Sequence, residues 1–280
     1  MSASSLASRA SRAPARVPVR RALVSRRASV ARRAGVVVRA DSSSAPKVVV
    51  LGGSGFVGSR VVEKLAAAGA EVVSVSKSGA GANGVAVDLS TDACADALAD
   101  AMKGADVVVS CVGVFDPADD DKARAGNGDF NVRGVNAAKA AGAKRFVYVS
   151  VADIVKDTVG GAVMKGYFEG KSATERAVAD AFPGDASFLV KPSFIYGGDA
   201  FSLNPPRVTQ QYGDVLVKLL GSGAVKAIAE KAPGPIALTL AEPQSVDDVA
   251  AATAAAALGK CDGASVDGAD DIKACAAKLA

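Results

Sequence analysis

The chain has 280 residues, 33 basic and 29 acidic side chains, four cysteines and no histidine. The missing imidazole excludes Ser-His-Asp and Cys-His catalysis and any His-ligated metal site, so no metal is expected. No apolar run approaches the roughly 20 residues that span a bilayer, so no transmembrane segment is expected.

Residues 1–40 differ from the rest: they hold ten arginines, seven serines and ten alanines, with neither lysine nor acid. This composition predicts an organelle transit peptide, which threads an import channel and packs into no core. The arginines interrupt every apolar stretch that a secretory signal would need. Val36-Val37-Val38 before Arg39-Ala40 looks like a plastid cleavage site, which puts the expected mature start near Asp41. The expected location is the chloroplast, in the stroma or at the surface of a thylakoid or plastoglobule, with the mitochondrion as the alternative. Without that segment 23 basic residues face 29 acidic ones, net −6. The alkaline balance then belongs to the targeting segment and gives no argument for a nucleic-acid partner.

Past a Ser-rich linker at 41–46, strands and helices alternate. Residues 47–51 form a short apolar run, as expected of a parallel strand covered on both faces. A glycine-rich turn leads into a helix through Ala68, with Val61, Val62 and Leu65 on one face and Gly69 at its end. Further strands are expected at 71–76, 84–87, 105–110, 144–150 and 187–190, and helices at 92–103, 132–141 and 167–182. This alternation predicts an α/β fold, a doubly wound parallel sheet of Rossmann type over 47–198. Residues 199–243 are rich in proline and glycine and show no clean period. They read as a small substrate-side lobe, so that 199–280 comprises this lobe and closing helices at 247–258 and 270–279. The cysteines Cys94, Cys111, Cys261 and Cys275 lack C-x-x-C spacing. They read as buried thiols of a reducing compartment rather than as disulfides or zinc ligands.

Gly52-Gly53-Ser54-Gly55-Phe56-Val57-Gly58 satisfies G-x-G-x-x-G and G-x-x-G-x-x-G at once, between a strand and a helix. That context is the one a dinucleotide fingerprint requires. Gly52 permits the tight turn, Gly55 removes the side chain where backbone meets pyrophosphate, and Gly58 lets the helix pack close to the strand. The helix N-terminus, with Phe56 and Val57, then presents N–H groups and a partial positive charge to the phosphates. An NAD enzyme usually carries an acid at the end of its second strand, but Ser74-Val75-Ser76-Lys77-Ser78 has none. Ser76 and Lys77 offer a hydroxyl beside a cation, which suits a 2′-phosphate, so NADP(H) is favoured over NAD(H).

These residues resemble the short-chain dehydrogenase/reductase superfamily in its extended or atypical branch. The resemblance covers nearly all of the chain beyond residue 46. Leu51 to Gly58 resembles that branch's nucleotide loop, and Val87-Asp88-Leu89 its acidic turn, which implies adenine contacts for Asp88 and Leu89. Ser110-Cys111-Val112-Gly113 is similar to the strand end beneath the cofactor, which implicates Val112 and Gly113. Asn131 precedes the next helix, as in the family. Tyr167-Phe168-Glu169-Gly170-Lys171 resembles the Y-x-x-x-K motif, and Lys191-Pro192-Ser193-Phe194-Ile195-Tyr196-Gly197 the segment after the sixth strand, with Pro192 at the cofactor. Val246-Asp247-Asp248-Val249-Ala250 looks like the late V-D-D-V-A motif.

The resemblance implies that Lys171 holds the nicotinamide ribose and lowers the pKa of Tyr167. The phenol then passes a proton while the cofactor passes hydride. The family's third member, a Ser or Thr near the end of the fifth strand, aligns with Val151. Ser150 stands one residue earlier, and alternation along a strand turns it to the other face. The segment between Val151 and Tyr167 is shorter than in sugar-nucleotide epimerases, which argues against a UDP-sugar substrate.

Within the superfamily, Gly166 to Lys171 and Lys191 to Gly197 most resemble a plant and algal plastid group. That group is related to the NADPH-binding accessory subunit of respiratory complex I and to a mitochondrial protein of ubiquinone synthesis. Two readings follow. One is an NADPH-dependent reductase of a carbonyl or quinone-like small molecule. The other is a non-catalytic, nucleotide-bound accessory factor for a membrane electron-transport complex or quinone synthesis. A regulator of the NmrA type shares the loop but normally lacks Tyr-x-x-x-Lys.

Overall fold

Val48, Val49, Val50 and Leu51 are fully buried, which a strand achieves only when helices cover both faces of its sheet. The computed structural model describes residues 45–159, 164–198, 202–203, 206–207, 209–229, 231–232 and 234–280. The expected transit peptide at 1–40 and most of the linker at 41–46 lie outside the described residues.

The first part of the chain runs β1 (Lys47–Leu51), α1 (Phe56–Ala67), β2 (Glu71–Ser76), β3 (Gly84–Ala86), α2 (Cys94–Met102), β4 (Val107–Ser110), α3 (Asp120–Asn127) and α4 (Asp129–Ala140). It continues through β5 (Arg145–Val149), α5 (Asp153–Val159), α6 (Lys165–Ala181), β6 (Ser187–Lys191), β7 (Ile195–Tyr196), β8 (Ser202–Leu203) and β9 (Pro206–Arg207). Helices α7 (Gln210–Leu220), α8 (Gly223–Ala229) and α9 (Gly234–Thr239) come next, and β10 (Gln244–Ser245), α10 (Val246–Ala257), β11 (Ser265–Asp267) and α11 (Gly268–Ala276) close the fold.

Seven strands form one parallel sheet in the order β11-β6-β5-β4-β1-β2-β3. The winding direction reverses between β1 and β4, and ligands of doubly wound sheets bind in the crevice at that point. The two faces carry separate cores. On one, Val48, Val50, Val107 and Val109 meet Val61 and Leu65 of α1 and the buried alanines of α10. On the other, Val49, Leu51, Val108 and Tyr148 meet Leu98 of α2, Val135 of α4 and Val178 of α6. Alternation along each strand sends successive side chains to opposite cores.

Residues 244–280 join the main layer, although on sequence they group with the C-terminal lobe. Strand β11 pairs with β6, and α10 is buried along most of its length. In α10, Ser245 caps the N-terminus by accepting from Asp248 N, which satisfies one of the helix's orphan donors. Helices α7, α8 and α9 occupy the stretch for which no period is expected from sequence. Lys226 of α8 ties them to the main layer, pairing with Asp270 of α11 at 2.6 Å and with the buried Glu242 at 3.1 Å. Lys273 of α11 holds the other oxygen of Glu242.

Two expectations need correction. Cys261 and Cys275 form a disulfide with their Cα atoms 5.5 Å apart, so only Cys94 and Cys111 are thiols. Sequence spacing misses this pair because a turn after α10 and the packing of α11 bring the two together. Asn131 does not precede a helix but lies inside α4, which starts a turn earlier than its apolar period suggests. The 120–127 region, to which no element is assigned on sequence, is helix α3, started by Asp119 accepting from Lys122 N at 2.9 Å.

Candidate nucleotide-binding site

The glycine loop is built by close approaches that only missing side chains permit. Gly52 sits at φ +76°, and a Cβ there would lie 3.2 Å from the carbonyl group of Cys111, the residue after β4. A Cβ on Gly58 would overlap the Gly52 carbonyl oxygen, so the first turn of α1 can close on the loop only with glycine. The backbone N–H groups of Gly52 and Gly53 both donate to Val75 O of β2, at 2.7 and 3.1 Å. Gly55 is the N-cap of α1, has no side chain to cap the helix, and is followed by a first turn without acid. The N-terminal end of α1, with no side chain on its N-cap residue and no acid in its first turn, therefore points its positive dipole at the crevice, which fits a pyrophosphate.

At the end of β2, Ser76 is nearly buried and its hydroxyl accepts from Gly79 N at 3.1 Å. Lys77 is largely exposed and pairs with Asp88 at 2.8 Å. Lys77 and Ser90 hold the Asp88 carboxyl down to about 2. Leu89 is buried, and its carbonyl accepts from Arg133 at 2.7 Å. The two elements that would flank an adenosine are thus joined by an ion pair across the crevice edge.

Across the sheet, Tyr167 and Lys171 lie one turn apart on α6, as i and i+4 spacing requires. Lys171 is buried and donates to Val149 O at 3.0 Å. Its ammonium lies 4.8 Å from the Tyr148 ring centre and 5.7 Å from that of Tyr167. It also approaches Gly113, where a Cβ would come within 3.6 Å of it. Burial lowers Lys171 to about 8 and pushes the Tyr167 phenol up to about 12. In this environment burial outweighs the nearby ammonium at the phenol. Phe115 meets the Tyr167 ring edge-on at 6.4 Å, giving that side of the crevice an apolar wall. Val112 and Gly113 continue β4 beneath it, and buried Pro192 accepts from Ala152 N at 2.9 Å.

Helix α6 reaches this depth because glycines face α3. A Cβ on Gly166 would overlap the Asp120 carbonyl, and one on Gly170 would come 2.7 Å from Arg124 O. Thr174 continues the same face and donates to Asn127 O at 2.7 Å. Removing these side chains lets α6 press onto α3.

Val151 is buried at 4% exposure, and the neighbouring Ser150 donates to Glu175 of α6 at 2.5 Å. The Ser150 hydroxyl is therefore committed to a carboxylate one turn beyond Lys171.

A family profile described as NAD(P)H-binding matches residues 52–190, the span from the glycine loop to the end of β6. An uncharacterised chloroplastic protein of Arabidopsis thaliana is 35% identical over 213 residues, covering 74% of this chain and 69% of its own length. The chain belongs to the NAD(P)H-binding family.

Solved structures extend the likeness of this NAD(P)H-binding protein to its fold. The UDP-N-acetylglucosamine 4-epimerase of Bacillus cereus superposes with a TM-score of 0.54 at 15% identity, covering 81% of this chain and 79% of the epimerase. The Bordetella bronchiseptica enzyme WbmH, solved with NAD+, gives 0.52 at 19% identity over 79% of this chain and 75% of its own. Both share the doubly wound α/β architecture.

Two residues lining the crevice escape sequence reasoning. Asn127 is fully buried and donates to Val114 O and Ala123 O, both at 2.7 Å. Its Oδ1 atom, without a partner among the described residues, lies 3.1 Å from the Cβ position of Gly113. No local signal marks it, because α3 has no apolar period. The second is Glu175, which the spacing of four from Lys171 could have marked.

Proposed function

We propose that this protein binds NADP(H) in the β1–β4 crevice and reduces a small, largely apolar carbonyl or quinone-like compound in a plastid. One observation carries the reading: Tyr167 and Lys171 converge beside Gly113, at the sheet's switch point and next to the glycine loop. A bound nicotinamide supplies hydride. The chain's own part is to seat and orient it. The N-terminus of α1 holds the pyrophosphate, and Asp88 and Leu89 border the adenine. Lys77 turns from Asp88 to the 2′-phosphate beside Ser76, and Lys171 donates to the ribose hydroxyls. At about 12, the Tyr167 phenol keeps its proton at neutral pH and can donate it to the oxygen that receives hydride. Phe115 and Val151 exclude water on the substrate side. The plastid placement rests on the chloroplastic relative and on the arginine-rich, acid-free residues 1–40.

A second reading is favoured by Val151. Without a hydroxyl in that slot the carbonyl meets one donor, Tyr167, and a nucleotide-bound accessory role with little turnover becomes the competitor. The experiment compares thermal shifts by NADPH and NADH with NADPH oxidation in the presence of quinones and aldehydes, for the natural protein and Tyr167→Phe. The reductase reading expects a larger shift with NADPH and turnover that falls about 100-fold in Tyr167→Phe, with binding kept. Equal shifts overturn the NADP(H) preference. Turnover retained in Tyr167→Phe removes Tyr167 from the chemistry, and binding without turnover on any of these compounds favours the accessory role.

A further inference from the structure

Two charged groups of α6 dock on consecutive residues at the end of β5. Lys171 donates to Val149 O at 3.0 Å, and Glu175, one turn later, accepts from the Ser150 hydroxyl at 2.5 Å. The other oxygen of Glu175 lies 3.5 Å from Lys156 Nζ of α5, and Lys156 also meets Asp153 at 3.2 Å. Glu175 is thus fixed from the strand and from α5 and cannot swing out to solvent without breaking both contacts.

We infer that Glu175 is the positioning residue that keeps Lys171 protonated, and that Ser150, displaced from the substrate side by Val151, serves to hold Glu175 in place. The inference rests on the reading that Lys171 holds the nicotinamide ribose, since only there does its charge matter to function.

The surroundings of Lys171 explain why such a partner is required. From β5 it meets the Tyr148 ring and a carbonyl, and from α6 the Tyr167 ring. From the residue after β4 comes the Cys111 thiol, which burial pushes up to about 12 and so leaves neutral. From α3 comes the uncharged Asn127, close to Gly113. These groups take the ammonium out of water without returning a charge. Burial accordingly brings Lys171 down to about 8, and Glu175 is the carboxylate that opposes the fall. A negative charge in a poorly hydrated site favours the protonated amine, and more strongly than it would in water. Alternation turns the Ser150 hydroxyl away from the substrate side. Here it serves the lysine instead.

The full chain, labelled with [ε-13C]lysine, is titrated by NMR between pH 6 and 10 without nucleotide, and Lys171→Met assigns the Lys171 signal by its loss. The natural protein is expected to titrate near 8. Glu175→Gln should lower that midpoint by at least half a pH unit, Ser150→Ala by less, and Glu175→Asp should restore it in part. An unchanged midpoint in Glu175→Gln overturns the inference. If that variant fails to fold, Ser150→Ala decides, and an unmoved midpoint there overturns the inference equally. NADPH affinity at pH 7 and pH 9 is measured on the same proteins. If Lys171→Met binds NADPH as tightly as the natural chain, the ribose role fails while the titration still tests Glu175.

Discussion

The two halves of the crevice are built by opposite means. On the β1–β4 side, the crevice depends on what is absent: glycines without side chains, an N-cap residue without a side chain, a first turn without acid. On the β5–α6 side it depends on what is present and buried: Lys171, Tyr167, Ser150 and Glu175, held by hydrogen bonds and ring contacts. The first half is a shape that any anion of the right geometry can enter. The second is an electrostatic arrangement whose protonation states depend on neighbours several residues away in sequence.

The largest effect should come from filling the empty side. Gly58→Ala places a methyl against the Gly52 carbonyl. It should abolish the thermal shift by NADPH and destabilise the fold by about 1–3 kcal/mol, the usual cost of overpacking. A normal shift would mean that the loop does not hold the nucleotide. Next comes the side that lacks a donor. Val151→Ser puts a hydroxyl in the slot that the resemblance assigns to a Ser or Thr and should raise turnover on a carbonyl by about 10-fold, since a well-placed donor is worth roughly 100-fold or more. Unchanged turnover, with a serine tolerated in the fold, would show that Val151 does not face substrate.

The last effect is one of stability against pH. Lys171 titrates near 8 when folded, below its ordinary 10.5, so between those values the unfolded chain binds more protons than the folded one. Stability from this group must therefore rise as pH increases from about 8 to 10.5. Below 8 both states are protonated and the burial penalty is fully present. Urea unfolding at the two ends of that window, in the natural chain and Lys171→Met, checks the sign, and the variant should lose this rise. A rise of equal size in the variant would assign it to other groups.

Legibility in the sequence follows the same division. Strands β1, β4 and β5 could be read directly, because residues buried on both faces must be apolar in succession and Val48 to Leu51 is such a run. The glycine loop could be read because its spacing is itself the geometry. Helix α3 could not, because its buried residues are Ala123, Gly126 and Asn127, which carry no apolar period. Helices α7 to α9 were hidden for a related reason: they leave Tyr212, Val215, Leu219 and Ile228 exposed, so their apolar residues do not report burial in this chain. Serine-150 register was legible in part. Alternation predicts that Ser150 faces away from substrate, but nothing local to it names Glu175 as its partner.

The sequence by itself determined the parallel sheet, the nucleotide loop and the turn spacing of Tyr167 and Lys171, because each is a local pattern of backbone freedom or side-chain period. Only the tertiary structure decided the disulfide between Cys261 and Cys275, the seat of α6 on α3 and the charge environment of Lys171. Those depend on distances between segments far apart in the chain, and burial, which sets how strongly charges act on one another, is a property of the whole packed molecule.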